Sequence, residues 1–155
     1  MTAPPATDPP RLARREDADA IRRLVVEAYS HYVERMGKPP GPMLDDYAKR
    51  IEDGEAWVIE ANGAILGLVV LEDGEDGLLL DNIAVAPSAQ GQGVGRALIA
   101  FTEREARRRG YQRVRLYTHV SMIENIALYG RLGFHETGRV HQQGFDRVTM
   151  AKTLA

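Results

Sequence analysis

The chain has 155 residues, 44% of them apolar and 27% charged, enough to close one hydrophobic core around a single domain. Its formal charge of -2 gives no general attraction to nucleic acid or to an anionic membrane, and the absence of cysteine removes disulfides, thiolate metal sites and a cysteine nucleophile together. No apolar run reaches the roughly 18 residues of a membrane span, and the start, 1-MTAPPATDPP-10, is proline-rich and polar instead of basic-then-apolar, so a cytoplasmic location is expected.

The first ten residues carry four prolines and no apolar periodicity and read as a disordered lead-in, with a single domain over 11–155. From Asp17, a candidate cap, Ile21, Leu24, Val25, Ala28, Tyr29 and Tyr32 recur at helical spacing. The segment 37-GKPPGP-42 breaks that helix as a hinge, and a short helix is expected from about 44 to 51. The period then changes. The runs 56-AWVIEA-61 and 64-AILGLVVLE-72 flank Asn62-Gly63, a strong hairpin signal because both residues tolerate positive φ. A turn at 73-DGEDG-77 leads to 78-LLLDNIAVA-86, the third consecutive antiparallel strand. A helix is expected over about 93–109, with Val94, Ala97, Leu98 and Phe101 on its apolar face and Gly110 as its stop. A strand at 113-RVRLYTH-119, a helix over about 123–132 and strands 134-FHETGRV-140 and 145-FDRVTMAKTL-154 complete the order. The fold class is α+β (mixed α/β), and no internal repeat is present.

The chemistry concentrates in 87-PSAQGQGVGRALIAF-101, where Gly91, Gly93 and Gly95 stand directly before a helix. Backbone N–H groups at a helix start, aided by the macrodipole, make an anion site, and phosphate is the obvious guest. A Walker loop is excluded because Arg96 and Ala97, not Lys and Ser or Thr, follow Gly95. A dinucleotide fingerprint is excluded because Arg96 occupies its third glycine position. Glycines needed only for tight packing at a helix entrance are the plain alternative.

The pattern Gln90-x-x-Gly93-x-Gly95 after 83-IAVAP-87, followed by 125-NIALYGRLGF-134, resembles two motifs of the GCN5-related N-acetyltransferase (GNAT) family, and the element order agrees over 11–154. The resemblance implies an acyl-CoA N-acyltransferase-like fold, a mostly antiparallel central sheet of about seven strands flanked by helices. It implies that the backbone of Ile83, Ala84 and Val85 pairs with the pantetheine arm of acetyl-coenzyme A by strand addition. It further implies that Gln90, Gly91, Gln92, Gly93, Val94, Gly95 and Arg96 cradle the pyrophosphate, that Asn125 contacts the arm, and that Tyr129 lies near the thioester sulfur. His31, Tyr32, the loop 35–42 and the turn 141-HQQGFD-146 would border the acceptor, and a homodimer is expected.

Acyl transfer from a thioester needs a neutral amine, donors for the developing oxyanion and a proton for the leaving thiolate. A lysine-type amine is neutral only about 0.04% of the time at pH 7, so a base is useful. Tyr129 is the candidate acid, against the alternative of a packed helix aromatic. Family relatives often carry a glutamate on the central strand, where this chain has 78-LLL-80. The nearest candidates for the base are Asp81, against a carboxylate bonded to backbone, and His119, against a strand-end histidine partly in solvent. Without cysteine, direct transfer in a ternary complex is expected, with no metal and no nucleic-acid partner. The expected activity is N-acetylation of a small amine or amino-acid-like acceptor. A protein N-terminus or lysine as acceptor, a non-catalytic acyl-coenzyme A sensor and a phosphate-binding structural domain are the rivals.

Overall fold

The computed structural model describes residues 8–155. The lead-in expected at 1–10 thus lies mostly outside the described residues. Seven strands form one mixed sheet, and the described residues divide into two compact units, 8–71 with 82–101, and 72–81 with 102–155.

In the first unit, strand β1 (Arg11–Leu12) is too short to signal itself in sequence and pairs antiparallel with β2 (Ala56–Ala61). Arg11 pins it there, its guanidinium donating to Asp17 at 2.9 Å and to Glu60 at 3.0 Å. Asp17 therefore does not cap as expected. Its carboxylate accepts from Arg11 and, at 2.7 Å, from the N–H of Arg14, because a short 3-10 turn at Arg15–Asp17 precedes helix α1 (Ala18–Tyr29). Helix α1 buries the stripe Ile21, Leu24, Val25, Ala28 and Tyr29, and α2 (His31–Met36) adds Tyr32 before Gly37, at φ 74°, ends it. Helix α3 (Tyr47–Glu52) starts later than the expected position 44. Gly41–Leu44 forms a 3-10 turn, and the Asp46 carboxylate sets the helix start by accepting from the N–H of Lys49 at 3.2 Å. Strands β2 and β3 (Ala64–Gly74) close over Asn62 and Gly63 at φ 53° and 79°, the left-handed pair of a two-residue hairpin. Gly67 is required by close approach, since a β-carbon there would lie 2.8 Å from Leu98 Cδ1.

Strand β4 (Gly77–Val85) follows after two residues, a connection only antiparallel neighbours permit, so the expected turn at 73–77 contracts. Helix α4 (Val94–Arg108) begins in the first unit and ends in the second. Its buried positions are Val94, Leu98, Ile99, Thr102, Glu105 and Ala106. Ala97 and Phe101 are half-buried, so the apolar face is rotated from the expected one, and Phe101 instead meets Trp57 at 4.9 Å between ring centres.

In the second unit, β5 (Arg113–His119) pairs parallel with β4 over residues 78–80 and 114–116 and antiparallel with β7 (Phe145–Thr153). Helix α5 (Ile123–Arg131) lies between β5 and β6 (His135–Gln142) in the chain. The sheet order β1-β2-β3-β4-β5-β7-β6 puts the last strand inside and β6 at the edge. The residue pattern explains this. β7 buries Val148, Met150 and Ala151, whereas β6, HETGRVHQ, is exposed at nearly every position. The expected turn 141–146 shrinks to Gln143 and Gly144, both left-handed, because His141 and Gln142 already pair with Asp146 and Phe145.

Candidate functional site

In the first unit, β4 runs on to Val85, beyond the three pairs its described ladder makes with β5. Ala84 is buried, and Ile83 and Val85 are half-buried. A 3-10 turn at Pro87–Ala89 then leads into the glycine loop. Gly91 and Gly93 have φ of 78° and 87°, and a β-carbon on either would meet nothing within 4 Å. Backbone conformation, not crowding within the chain, therefore demands glycine at these two positions. Gly95 differs, since it sits in α4 and a β-carbon there would meet only Val85 Cγ2, at 3.8 Å. No packing in the chain requires this glycine, and its face is open.

The loop is braced from inside. Gln90 Nε2 donates to the carbonyl of Val85 at 3.4 Å, and Gln92 Nε2 donates to that of Ser88 at 3.2 Å. Both glutamines assigned to the cradle thus spend side-chain amides on the loop itself. The N–H of Ala97 closes the first helical turn on the carbonyl of Gly93 at 3.0 Å, which makes Gly93 the residue before the helix, with no side chain to cap it. The N–H groups of Val94, Gly95 and Arg96 are directed out of the helix at its start and have no acceptor within it, a geometry able to receive an anion.

The first unit also holds a polar network that sequence reasoning missed. Asn82 is 4% exposed, and its Nδ2 donates to the Tyr47 hydroxyl at 2.9 Å. Tyr47 in turn donates to the carbonyl of Pro42. The hydroxyl of Tyr29 shares its hydrogen between the carbonyl of Ile83, at 2.6 Å, and Asn82 Oδ1, at 2.8 Å. The signal was an asparagine inside the apolar run 78-LLLDNIAVA-86, since a buried amide must find partners.

In the second unit, Asp81 accepts the hydroxyl hydrogen of Tyr117 at 2.5 Å. Burial, with the Asp81 carboxylate next, pushes the Tyr117 phenol well above its usual range, while Arg147 lies 4.3 Å over its ring. His119 Nδ1 accepts the backbone N–H of Ser121 at 3.1 Å and lies 2.8 Å from that residue's hydroxyl. A ring nitrogen that accepts an N–H carries a lone pair, so the neutral imidazole has its hydrogen on Nε2. Asn125 Nδ2 is 3.7 Å from Met122 Sδ. Tyr129 is 6% exposed and meets Phe134 edge-on at 6.0 Å. Among the described residues, no three His, Asp or Glu side chains are grouped to hold a metal ion, and no helix is long and apolar enough to cross a membrane.

The profile of the acetyltransferase (GNAT) family matches residues 18–134. The chain belongs to this family. It is 33% identical over 91 residues to N-acetyltransferase family 8 member 2 of Rattus norvegicus, an alignment covering 55% of this chain and 40% of that one. The chain thus spans well under half the length of the first curated relatives it matches. The GNAT fold is shared with solved structures. The ribosomal-protein-S18-alanine N-acetyltransferase of Escherichia coli matches with a TM-score of 0.76 at 24% identity, over 97% of this chain and 95% of that one. The PaiA N-acetyltransferase of Thermoplasma acidophilum, solved in complex with coenzyme A, matches with a TM-score of 0.78 at 16% identity, over 96% and 99%.

Proposed function

We propose that this chain is an N-acetyltransferase that moves the acetyl group of acetyl-coenzyme A directly to a primary amine of a small or amino-acid-like acceptor. The observation that carries this reading is the open, left-handed glycine loop that delivers a helix N-terminus at the end of β4, in a chain of the GNAT family. The loop suits a pyrophosphate, because open space over Gly91 and Gly93 lets the first-turn N–H groups of α4 approach phosphate oxygens. Residues 83–85 would receive the pantetheine arm, and the short β4–β5 ladder supports this because it covers only residues 78–80 of β4. Asn125 would contact the same arm.

The bound coenzyme supplies an electrophilic thioester carbon. In the proposed transfer the acceptor nitrogen bonds to that carbon and the carbon–sulfur bond breaks. A backbone N–H of residues 83–85 stabilises the developing oxyanion, Tyr129 gives its hydroxyl proton to the departing sulfur, and Asp81 takes the proton lost by nitrogen. We favour Asp81 over His119 as the base because His119 Nδ1 already accepts from Ser121, which leaves its neutral ring offering a donor at Nε2. Tyr117 fixes the orientation of the Asp81 carboxylate through its hydrogen bond.

The first test is thermal unfolding with saturating acetyl-coenzyme A, coenzyme A or inorganic phosphate. A ligand at a hundred times its Kd shifts Tm of a chain this size by roughly 5 to 10 °C. A shift with both coenzyme forms and none with phosphate is expected, and an equal response to phosphate would reduce the loop to a general phosphate site. Thiol release is then followed over a panel of small amines, amino acids and peptides with free N-termini. Binding with no release on any of them would favour a sensor module. Selective release with peptides would move the acceptor to a protein N-terminus, as the name of the Escherichia coli structural neighbour suggests. Tyr129→Phe is expected to slow release far more than it weakens coenzyme binding. A cytoplasmic location and a homodimer belong to the same reading and are tested by cell fractionation and light scattering.

A further inference from the structure

Two tyrosines from helices far from it in sequence bond the side chain of Asn82, and one of them passes the contact on to Pro42. Tyr29 is the last residue of α1, Tyr47 the first of α3, and Pro42 belongs to the 3-10 turn between α2 and α3. All three network side chains are deeply buried, with Tyr29 7%, Tyr47 2% and Asn82 4% exposed. Buried polar groups gathered this closely are costly unless satisfied, and here each bonds another. The direction of donation is ordered. Asn82 donates to Tyr47, so Tyr47 must turn its single hydrogen to Pro42, while Asn82 Oδ1 and the Ile83 carbonyl share that of Tyr29. One end of the network therefore grips the backbone of β4 at Ile83. The other grips the segment 37–46, which the chain's prolines and glycines leave without regular helix over 37–40.

We propose that Asn82, Tyr29 and Tyr47 are positioning residues that set the backbone of β4 at Ile83 for coenzyme A and tie it to the segment between α2 and α3, so that coenzyme binding steadies that segment. The proposal rests on the reading of residues 83–85 as the pantetheine-binding stretch. Tyr29 fixes where the Ile83 peptide points, and a strand that pairs with a ligand loses affinity when its peptides can rotate. Tyr47 carries the same constraint to Pro42 through Asn82. Asn82→Asp preserves shape but turns the donor into an acceptor, which draws the Tyr47 hydrogen away from the Pro42 carbonyl.

The test compares Tyr29→Phe, Tyr47→Phe and Asn82→Asp with the unaltered protein, measuring coenzyme A affinity by calorimetry, Tm, and amide hydrogen exchange over 41–46. Tyr29→Phe is expected to weaken coenzyme A binding about three- to tenfold in protein that remains folded. Tyr47→Phe and Asn82→Asp are expected to accelerate exchange over 41–46, and coenzyme A should slow that exchange in the unaltered protein but not in these two. A purely architectural network would lower Tm in all three variants while leaving coenzyme A affinity within about twofold, and that result would overturn the proposal. Should the unaltered protein show no affinity for coenzyme A, the coenzyme reading fails on its own account. The tie to 37–46 would then be decided by exchange alone, and unchanged exchange in Tyr47→Phe would end it as well.

Discussion

The two ends of helix α4 solve the same problem in opposite ways. At its C-terminal end the backbone is satisfied from within. The N–H of Gly110 bonds the carbonyl of Arg107 at 3.0 Å and that of Tyr111 bonds the carbonyl of Ala106 at 2.9 Å, with Gly110 at φ 86°. Glu105, 6% exposed, accepts from Arg108 at 2.7 Å and from Arg109 at 2.8 Å beside them. The N-terminal end starts at Val94, follows the left-handed Gly91 and Gly93 and bears a third glycine, Gly95, in its first turn. No side chain caps this helix start, although serine, threonine, aspartate and asparagine are the usual choices, and in the proposed reading its first-turn N–H groups meet phosphate.

Four substitutions sharpen that contrast, in falling order of expected effect. Gly93→Glu places a carboxylate where phosphate should bind, and coenzyme A affinity should fall by more than about a hundredfold, as measured by calorimetry. Gly93→Ala is its control for backbone strain, and a loss as large as that of Gly93→Glu would show that conformation, not charge, governs the loop. At the other end, Gly110→Ala forces a side chain into a left-handed conformation. It should cost about 1 to 2 kcal/mol of stability, a fall in Tm of several degrees, with coenzyme A affinity unchanged. Gly95→Ala should raise the Tm of the ligand-free protein, because alanine favours helix by up to about 1 kcal/mol and the site has room, while weakening coenzyme A binding. Higher stability with full affinity would remove Gly95 from the cradle.

A separate effect is expected on acid unfolding. Hydrogen bonding from Arg108, then Arg109, against the opposing effect of burial, lowers the Glu105 carboxyl from 4.5 to about 2. A carboxyl depressed in the folded state contributes stability that is complete above its unfolded value and disappears as pH falls through its folded one. Glu105→Gln should therefore flatten the loss of stability between pH 4.5 and about 2, and an unchanged acid profile would show that this end of α4 does not depend on the ion cluster.

Local rules made much of the fold readable. Asn62-Gly63 marked its hairpin because only residues tolerant of positive φ close so short a turn, and the stripe from Ile21 to Tyr29 marked α1 because its spacing matches one helical face. Gly91, Gly93 and the motif from Asn125 to Phe134 were readable for the same reason, as features whose geometry or pattern is carried by adjacent residues. Long-range contacts were not readable. The start of α3 depended on the Asp46 side chain, the insertion of β7 inside β6 on which strand had apolar residues to bury, and the rotated face of α4 on what lay opposite Phe101.

The candidate chemistry divides along the same line. The glycine loop, its helix and the GNAT resemblance were determined by sequence alone, because backbone conformation at a glycine and the start of a helix depend on a few consecutive residues. Which groups share a hydrogen was decided only by tertiary structure. Asp81 and Tyr117 stand on neighbouring strands, and Tyr29, Tyr47 and Asn82 come from two helices and a strand, so their hydrogen bonds exist only once packing has brought together and desolvated side chains far apart in sequence.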